Sequence, residues 1–276
     1  MIRFFFFLFL SVPVYSFAQN MDAELNSQEN KDWYNAAFRP YEDSVEYYAD
    51  KMKAPQTPLE RKATLDNYNH QLSAFRAALK DFVQQHASED IAAKALIITC
   101  FRNVDVNSDS LLAIAGSLKD DGEHNRYADY FFQEMQARKN DATGKMFIPF
   151  SMTDEAGNII SSENFKGKYV LVLFWASWCI PCRAEIPQLS AAYHQLKNKN
   201  FDVLAVSMDT NKDNWLQAVR HDKTDWHNLF DGKAWNDDVA RNYAVHVIPK
   251  NLLVDTSGKI IARNISALGL IKLLDK

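Results

Sequence analysis

The spacing of hydrophobic positions divides the chain into two parts with different patterns. In the first part, apolar side chains recur every three or four residues, at Leu65, Tyr68, Leu72, Phe75, Leu79 and Phe82. This period places them on one face of an amphipathic helix. Thr57 and Pro58 mark its start, because threonine caps helices and proline is tolerated in the first turn. Similar patterns extend over residues 19–140, which we predict to form an all-α helical domain.

From about residue 145 the pattern changes to short apolar runs that alternate with helical segments. Residues 169–175, Tyr-Val-Leu-Val-Leu-Phe-Trp, form a continuous run rich in β-branched and aromatic residues, which predicts a buried strand. Helices are predicted at 179–197, 211–221, 234–243 and 266–274, and strands at 201–208, 251–255 and 259–263. The polar segment 139–145 marks the domain boundary. Residues 145–276 are therefore predicted to form an α/β domain, with a central mixed sheet and helices on both faces.

The N-terminus has the pattern of a signal peptide. Arg3 precedes an unbroken apolar run from Phe4 to Leu10, and Ser16-Phe17-Ala18 has the small-x-small form of a cleavage site. The apolar run is shorter than the roughly 20 residues that a membrane-spanning helix needs. We expect residues 1–18 to be a signal peptide and the mature protein to be exported, soluble and periplasmic.

Composition argues against several classes of function. Hydrophobic residues make up 47% and charged residues 24% of the chain, and the formal net charge is −4, so no basic excess favours nucleic-acid binding. The chain has three cysteines, of which two form a CxxC motif and Cys100 is left over. That count excludes a network of structural disulfides and disfavours a closed zinc site, so we predict no metal. Cys100 is interpreted as a small apolar side chain of a buried helix, with a resolving or intermolecular thiol as the alternative.

The motif Cys179-Ile180-Pro181-Cys182 lies where the predicted strand gives way to the next helix. Unpaired backbone N–H groups and the helix dipole at such a position stabilise a thiolate, the species that attacks disulfides. A two-residue gap lets the second cysteine close an intramolecular disulfide one turn along. The spacing therefore predicts a redox-active disulfide between Cys179 and Cys182.

Two motifs together resemble one family. The run Trp-Cys-x-Pro-Cys-Arg-x-Glu-x-Pro from Trp178 is similar to the TlpA/ResA-like branch of exported thiol–disulfide oxidoreductases in the thioredoxin superfamily. The segment that ends in Ile248-Pro249, followed by a predicted hairpin, resembles the cis-proline loop of the same branch. The resemblance covers residues 145–276 and implies an α/β thioredoxin-like fold preceded by the helical domain. Lys250 departs from the threonine that commonly follows the loop proline.

The resemblance also implies a role for each cysteine. Cys179, exposed at the helix start, is expected to attack the substrate disulfide, and Cys182, one turn inward, to resolve the mixed disulfide. Thioredoxin carries a buried aspartate six residues before the first cysteine, where this chain has Leu173. Glu185 lies one turn after Cys182, where this branch carries a glutamate, and is expected to be a partly buried carboxylate that relays the Cys182 proton. The alternative is a helix-face glutamate paired with Arg183 or a lysine.

Three further residues are expected to contact substrate. Trp178 is expected to shield the reactive sulfur and to pack on the substrate, whereas Trp175 is expected in the core. Packing roles are expected for the other tryptophans of this half, Trp215, Trp226 and Trp235. By resemblance, Pro249 is a cis-proline, and the backbone of Ile248 pairs with an extended substrate segment. His246 is interpreted as a strand-edge histidine, with a metal or proton ligand as the alternative.

The leading hypothesis is an exported thiol–disulfide oxidoreductase that exchanges its CxxC disulfide with client proteins and needs no cofactor. The resemblance implies reduction as the usual direction, with a membrane thiol reductase as electron donor. A thiol peroxidase, which shares the fold, is one alternative, although such enzymes usually carry threonine and proline where this chain has Ser177 and Trp178. A binding or scaffold protein is another, whose helical domain docks a client or forms a homodimer.

Overall fold

The computed structural model describes residues 24–102, 106–118 and 126–275, which fall into two compact units, Met1–Gln133 and Glu134–Lys276. The predicted signal peptide lies outside the described residues. Within them, no helix combines the length and the apolar character needed to cross a bilayer.

The first unit is helical, as its hydrophobic period predicts. Its helices are α1 (Gln28–Lys53), α2 (Pro58–Gln85), α3 (Asp90–Phe101), α4 (Ser108–Ala115) and the start of α5 (Arg126–Asn140). The predicted cap is confirmed, because the Thr57 side chain accepts the backbone N–H of Glu60 and the Glu60 carboxylate accepts the backbone N–H of Thr57. This reciprocal pair satisfies two donors that a helix start leaves open.

The apolar stripe of α2 contributes to an aromatic core. Phe75 and Leu79 are fully buried, and the Phe75 ring lies edge-on to Phe38 of α1, with 5.9 Å between ring centroids. Leu65, at the start of the stripe, is exposed instead. Cys100 of α3 is buried, as the apolar interpretation expects.

The second unit is built on a seven-stranded mixed sheet. The strands are β1 (Ser151–Asp154), β2 (Ile159–Ser161), β3 (Tyr169–Trp175), β4 (Phe201–Ser207), β5 (His227–Phe230), β6 (Lys250–Val254) and β7 (Ile260–Arg263). The helices are α6 (Ile180–Leu196), α7 (Lys212–Asp222), α8 (Asp238–Asn242) and α9 (Ala267–Leu274), with short 3-10 turns at Ser162–Phe165 and Ala234–Asn236. The strand order is β2-β1-β5-β4-β3-β6-β7. The predicted mixed sheet after an all-α part is thereby confirmed.

The centre of the sheet forms the core of this unit. Strand β3 pairs in parallel with β4 and antiparallel with β6, and all of β4 is buried. Two covered faces explain why these strands are continuous apolar runs rather than alternating ones. The predicted bounds of β3, residues 169–175, are confirmed.

Strand β5 was not predicted from the sequence. His227–Phe230 pairs in parallel with β4 and antiparallel with β1, so it joins the β1–β2 hairpin to the central strands. Its four residues, His-Asn-Leu-Phe, are too few to show a period and begin with two polar side chains. Tertiary pairing, not local preference, makes this segment a strand.

Candidate active site

The CxxC motif lies at the junction predicted for it, between the end of β3 and the start of α6. Cys179 and Cys182 form a disulfide, with 5.3 Å between their Cα atoms. The expectation that Cys179 is exposed is wrong in this oxidised state, since Cys179 is only 5% and Cys182 only 3% exposed. Both sulfurs contribute to the apolar core of the unit.

Cys179 is itself the N-cap of α6. Its Sγ accepts the backbone N–H of Cys182 at 3.2 Å, and Pro181 lies in the first turn. The first turn contains no acidic residue. An N–H donor and the positive end of a helix of 17 residues both favour negative charge on Sγ once the disulfide is reduced.

A buried carboxylate holds the loop just before the motif. Asp209 accepts the backbone N–H of Ser177 at 2.8 Å and its hydroxyl at 2.6 Å. Ser207 donates its hydroxyl to the same carboxylate at 2.8 Å. Asp209 is almost fully buried, so these donors replace its lost hydration.

Sequence reasoning missed Asp209, although a signal was present. Trp175 of β3 is paired with Ser207 of β4, so the residues two positions beyond each strand lie side by side. The carboxyl ends of parallel neighbours place their following loops together, and these loops begin with Ser177 and Asp209. Predicting β3 and β4 as adjacent and parallel would have brought the two residues together.

Arg183 holds the same loop from the other side. Its guanidinium forms an ion pair with Asp222 at the end of α7, with Nε 2.7 Å from Oδ2, and Nη1 donates to the carbonyl of Ser177 at 3.5 Å. Burial raises the pKa of Asp222, but hydrogen bonds and charge from Arg183 and His221 outweigh it and lower the pKa overall. The alternative pairing of Arg183 with Glu185 is therefore wrong.

The second predicted motif reaches the same end of the sheet. The Ile248–Pro249 peptide bond is cis, which confirms the expectation from the resemblance. Lys250, the first residue of β6, is paired with Phe174 of β3. Pro249 therefore adjoins the end of β3, the strand that leads into the CxxC loop.

Two tryptophans form an exposed aromatic pair beside the motif. Trp178 is 57% and Trp235 39% exposed, and their ring centroids are 6.4 Å apart. The exposure of Trp178 suits the predicted contact with substrate. The interpretation of Trp235 as a packing residue is wrong, whereas Trp175, Trp215 and Trp226 are buried as expected. Trp235 lies in the 3-10 turn Ala234–Asn236, and no sequence period marks its direction.

Glu185 does not have the environment predicted for it. Its side chain lies on the exposed side of α6, so the expectation of a partly buried carboxylate is wrong. Cys182, Ile186 and Leu189, at positions i, i+4 and i+7, form the stripe of α6 that faces the core, and Glu185 lies outside this stripe. Leu173, where thioredoxin has its aspartate, is buried among apolar side chains.

Among residues 24–102, 106–118 and 126–275, no cluster of three or more His, Cys, Asp or Glu side chains could hold a metal ion. His246 Nε2 lies 2.9 Å from the Glu134 carboxylate rather than in a ligand cluster. Burial opposes ionisation of Glu134, but His246 and Arg138 outweigh it and lower the pKa of the carboxyl. His246 is therefore a hydrogen-bond partner of Glu134.

Comparison with known proteins assigns a family to part of the chain. Residues 143–263 match the AhpC/TSA family model. The chain is 36% identical to the thioredoxin domain of a thiol–disulfide oxidoreductase from Bacteroides vulgatus, over 49% of this chain and 96% of that one, with a TM-score of 0.46. Residues 143–263 therefore form an AhpC/TSA domain. The resemblance drawn from the two motifs is confirmed, and the sheet of the AhpC/TSA domain is a thioredoxin-like fold.

Several relatives of this AhpC/TSA domain are named thiol-disulfide oxidoreductases. It is similar to the thiol-disulfide oxidoreductase ResA of Bacillus thuringiensis subsp. konkukian (strain 97-27), at 29% identity over 135 residues, which cover 49% of this chain and 74% of the relative. A solved structure of a thiol-disulfide oxidoreductase from Bacteroides fragilis is 34% identical, over 48% of this chain and 98% of that one, with a TM-score of 0.45. Each of these relatives matches about half of the chain.

Proposed function

We propose that this protein is an exported thiol–disulfide oxidoreductase that exchanges the Cys179–Cys182 pair with cysteines of client proteins. The observation that carries the proposal is the disulfide itself, positioned at the N-terminus of α6 beside a cis-proline loop. The match of residues 143–263 to the AhpC/TSA family model and relatives named thiol-disulfide oxidoreductase support the same activity.

The reaction balances as two successive exchanges. The Cys179 thiolate of the reduced protein attacks one sulfur of a client disulfide, which forms a mixed disulfide and releases one client thiolate. The Cys182 thiolate then attacks the Cys179 sulfur, which closes the internal disulfide and releases the second client thiolate. The client gains two electrons and the protein loses two. The released thiolates take up protons from solvent or from the protein.

The remaining site residues have proposed roles in this cycle. Glu185 takes the proton of Cys182 before the second exchange, and its exposed position lets it pass the proton to water. Trp178 packs against the client segment beside the mixed disulfide. Ile248 pairs through its backbone with that segment, and Pro249 sets the direction of the loop.

The cellular setting is part of the proposal. The apolar run and cleavage pattern of residues 1–18 support export to an oxidising compartment such as the periplasm. Reduction is the proposed direction, with a membrane thiol reductase returning electrons to Cys179–Cys182. The helical part is proposed to dock a client or to form a homodimer. Light scattering of the full chain would test the homodimer.

A trapping experiment tests the proposed activity. A Cys182→Ser variant expressed in the native host lacks the resolving sulfur, so clients should accumulate as mixed disulfides on Cys179. The matched control is the variant in which both cysteines are serine. Mass spectrometry should find clients on the single variant only, and equal recovery from both variants would refute client exchange.

A second measurement separates this activity from peroxide reduction. The reduced protein is mixed with hydrogen peroxide or with a disulfide-bonded peptide, and thiol loss is followed for each. We expect the peptide to react at least tenfold faster, because no threonine precedes Cys179 to orient a peroxide. Rapid formation of sulfenic acid on Cys179 with no reaction toward the peptide would support the peroxidase.

A further inference from the structure

Lys250, which directly follows the cis-proline, has an environment that its position in the sequence does not predict. Its side chain is only 13% exposed. The ammonium donates to the carbonyl of Tyr243 at 2.6 Å and approaches that of Ala244 at 3.4 Å. It also lies 3.1 Å from the Asp141 carboxylate, whose side chain is 12% exposed. The charge of Lys250 is therefore used inside the protein and is not presented to a client.

The contacts of Lys250 join both ends of the segment 243–249, which we call the cis-proline loop. The two carbonyls belong to the start of this loop, and Lys250 itself follows its end. One ammonium group thus links the two ends of the loop and holds them at a fixed separation. Arg263 of β7 supports the arrangement, because its Nη1 lies 2.9 Å from the same Asp141 oxygen that binds Lys250.

The segment around the end of α5 contacts the cis-proline loop at two further places. Glu134 binds His246 in the middle of the loop, with 2.9 Å between Oε2 and Nε2. The Asn140 side chain donates to the carbonyl of Asn242, just before the loop, at 3.2 Å. Asn140 thus binds the residue before the loop, and Glu134 binds a residue within it. Asp141 binds the residue that follows the loop. All three residues lie before the start of the sheet in the sequence.

The environment of Lys250 favours a structural role over direct contact with an anionic client. We call the pair of Lys250 and Asp141 the clamp of the cis-proline loop. Burial lowers the pKa of Lys250, and the Asp141 carboxylate partly offsets this effect. A buried cation that binds two carbonyls and a carboxylate has its donors occupied. A lysine that reached out to a client would instead need an exposed ammonium group.

We propose that Lys250 and Asp141 are positioning residues for client binding, which hold the cis-proline loop in the shape that lets the Ile248 backbone pair with an extended client segment. The inference rests on the proposed function and adds to it the two residues that hold the Ile248 backbone in place. The clamp acts on the loop and not on the sulfurs. Loss of the clamp should therefore weaken recognition of peptide disulfides and leave the chemistry of Cys179 unchanged.

The test compares two disulfides that differ in whether they offer a backbone. The first is a fluorogenic peptide with one internal disulfide, and the second is 5,5′-dithiobis(2-nitrobenzoate). Second-order rate constants are measured with the reduced full-length protein, and the midpoint potential is measured against glutathione. For Lys250→Met we expect a loss of roughly tenfold or more with the peptide, because a small misplacement of a binding loop costs this much. The rate constant with the small reagent and the equilibrium constant with glutathione should both stay within twofold.

Controls keep the outcomes separate. Lys259→Met removes an exposed lysine from the same hairpin and should leave both rate constants unchanged. Asp141→Asn keeps the size of the side chain and serves as the second variant if Lys250→Met does not fold. An equal decrease with both disulfides, or no decrease with the peptide, would overturn the clamp. A wild-type protein that reacts with neither disulfide would instead refute the proposed function.

Discussion

The Ser177–Asp209 contact gives a sharp prediction about the loop that carries the redox pair. In Ser177→Ala, the Asp209 carboxylate loses a hydroxyl donor 2.6 Å away and has no water to replace it, because it is buried. A hydrogen bond to a charged group contributes about 1.5–3 kcal/mol. We therefore expect the free energy of unfolding of the oxidised protein to fall by about 1.5–3 kcal/mol. For a unit of this size, that loss corresponds to a decrease in Tm of roughly 3–12 °C.

The chain offers a matched control for this variant. Ser257 donates its backbone N–H and its hydroxyl to Asp255 at 2.8 and 2.7 Å, the same pair of bonds in an exposed turn. Ser257→Ala should cost less than about 0.5 kcal/mol, because water replaces the lost donor at the surface.

Urea unfolding followed by tryptophan fluorescence measures both variants. Five of the six tryptophans, at positions 175, 178, 215, 226 and 235, lie in the second unit, so the signal reports on it. Equal losses for Ser177→Ala and Ser257→Ala would refute the argument from burial. A Ser177→Thr variant, which keeps the hydroxyl, should recover most of the stability.

Two further predictions concern carboxylates of the second unit. Burial, together with the neighbouring Asp231 carboxylate, raises the pKa of Asp237 to about 7. The folded protein therefore keeps a proton that the unfolded chain releases near pH 4, and the free energy of unfolding should fall as pH rises from about 4 to about 7. Asp237→Asn should remove this decrease in the free energy of unfolding, measured by urea titration at several pH values. Asp238→Asn, which changes an exposed neighbour, should retain the decrease. A decrease that persists in Asp237→Asn would contradict the assignment of the raised pKa to Asp237. Glu185→Gln should slow the second exchange by less than tenfold in stopped-flow measurements, because water reaches the exposed carboxylate and can take the proton instead. A 100-fold or greater decrease in this rate would contradict the exposed position and mean that the carboxylate becomes enclosed on reduction.

The sequence predicted those parts of the fold that leave a local or short-range signal. The period along α2 and the apolar run of β3 come from burial of one face or both faces, so the bounds follow from the pattern. The cap at Thr57 is a local hydrogen-bond pattern and was equally visible. The cysteine pair could be placed because its strand and its helix are both strongly marked.

The missed features depend on pairing between distant segments. Strand β5 is a strand because β1 and β4 flank it, and Asp209 meets Ser177 because two parallel strands end together. The exposure of Glu185 follows from which face of α6 covers the core, and the resemblance alone gave the residue type without that orientation. Lys250 was recognised as a departure, but its partner Asp141 lies more than 100 positions away in the sequence.

The two edge strands of the sheet bear on how selectively the protein binds extended polypeptides. Insertion of β5 leaves β2, with three residues, and β7, with four, as the outermost strands. Short outer strands offer few open backbone groups, so an unfolded polypeptide gains little by adding itself there. We expect extended clients to be excluded from the edge strands and directed to the cis-proline loop. An oxidoreductase exposed to many partly folded chains would in this way stay monodisperse while it exchanges disulfides.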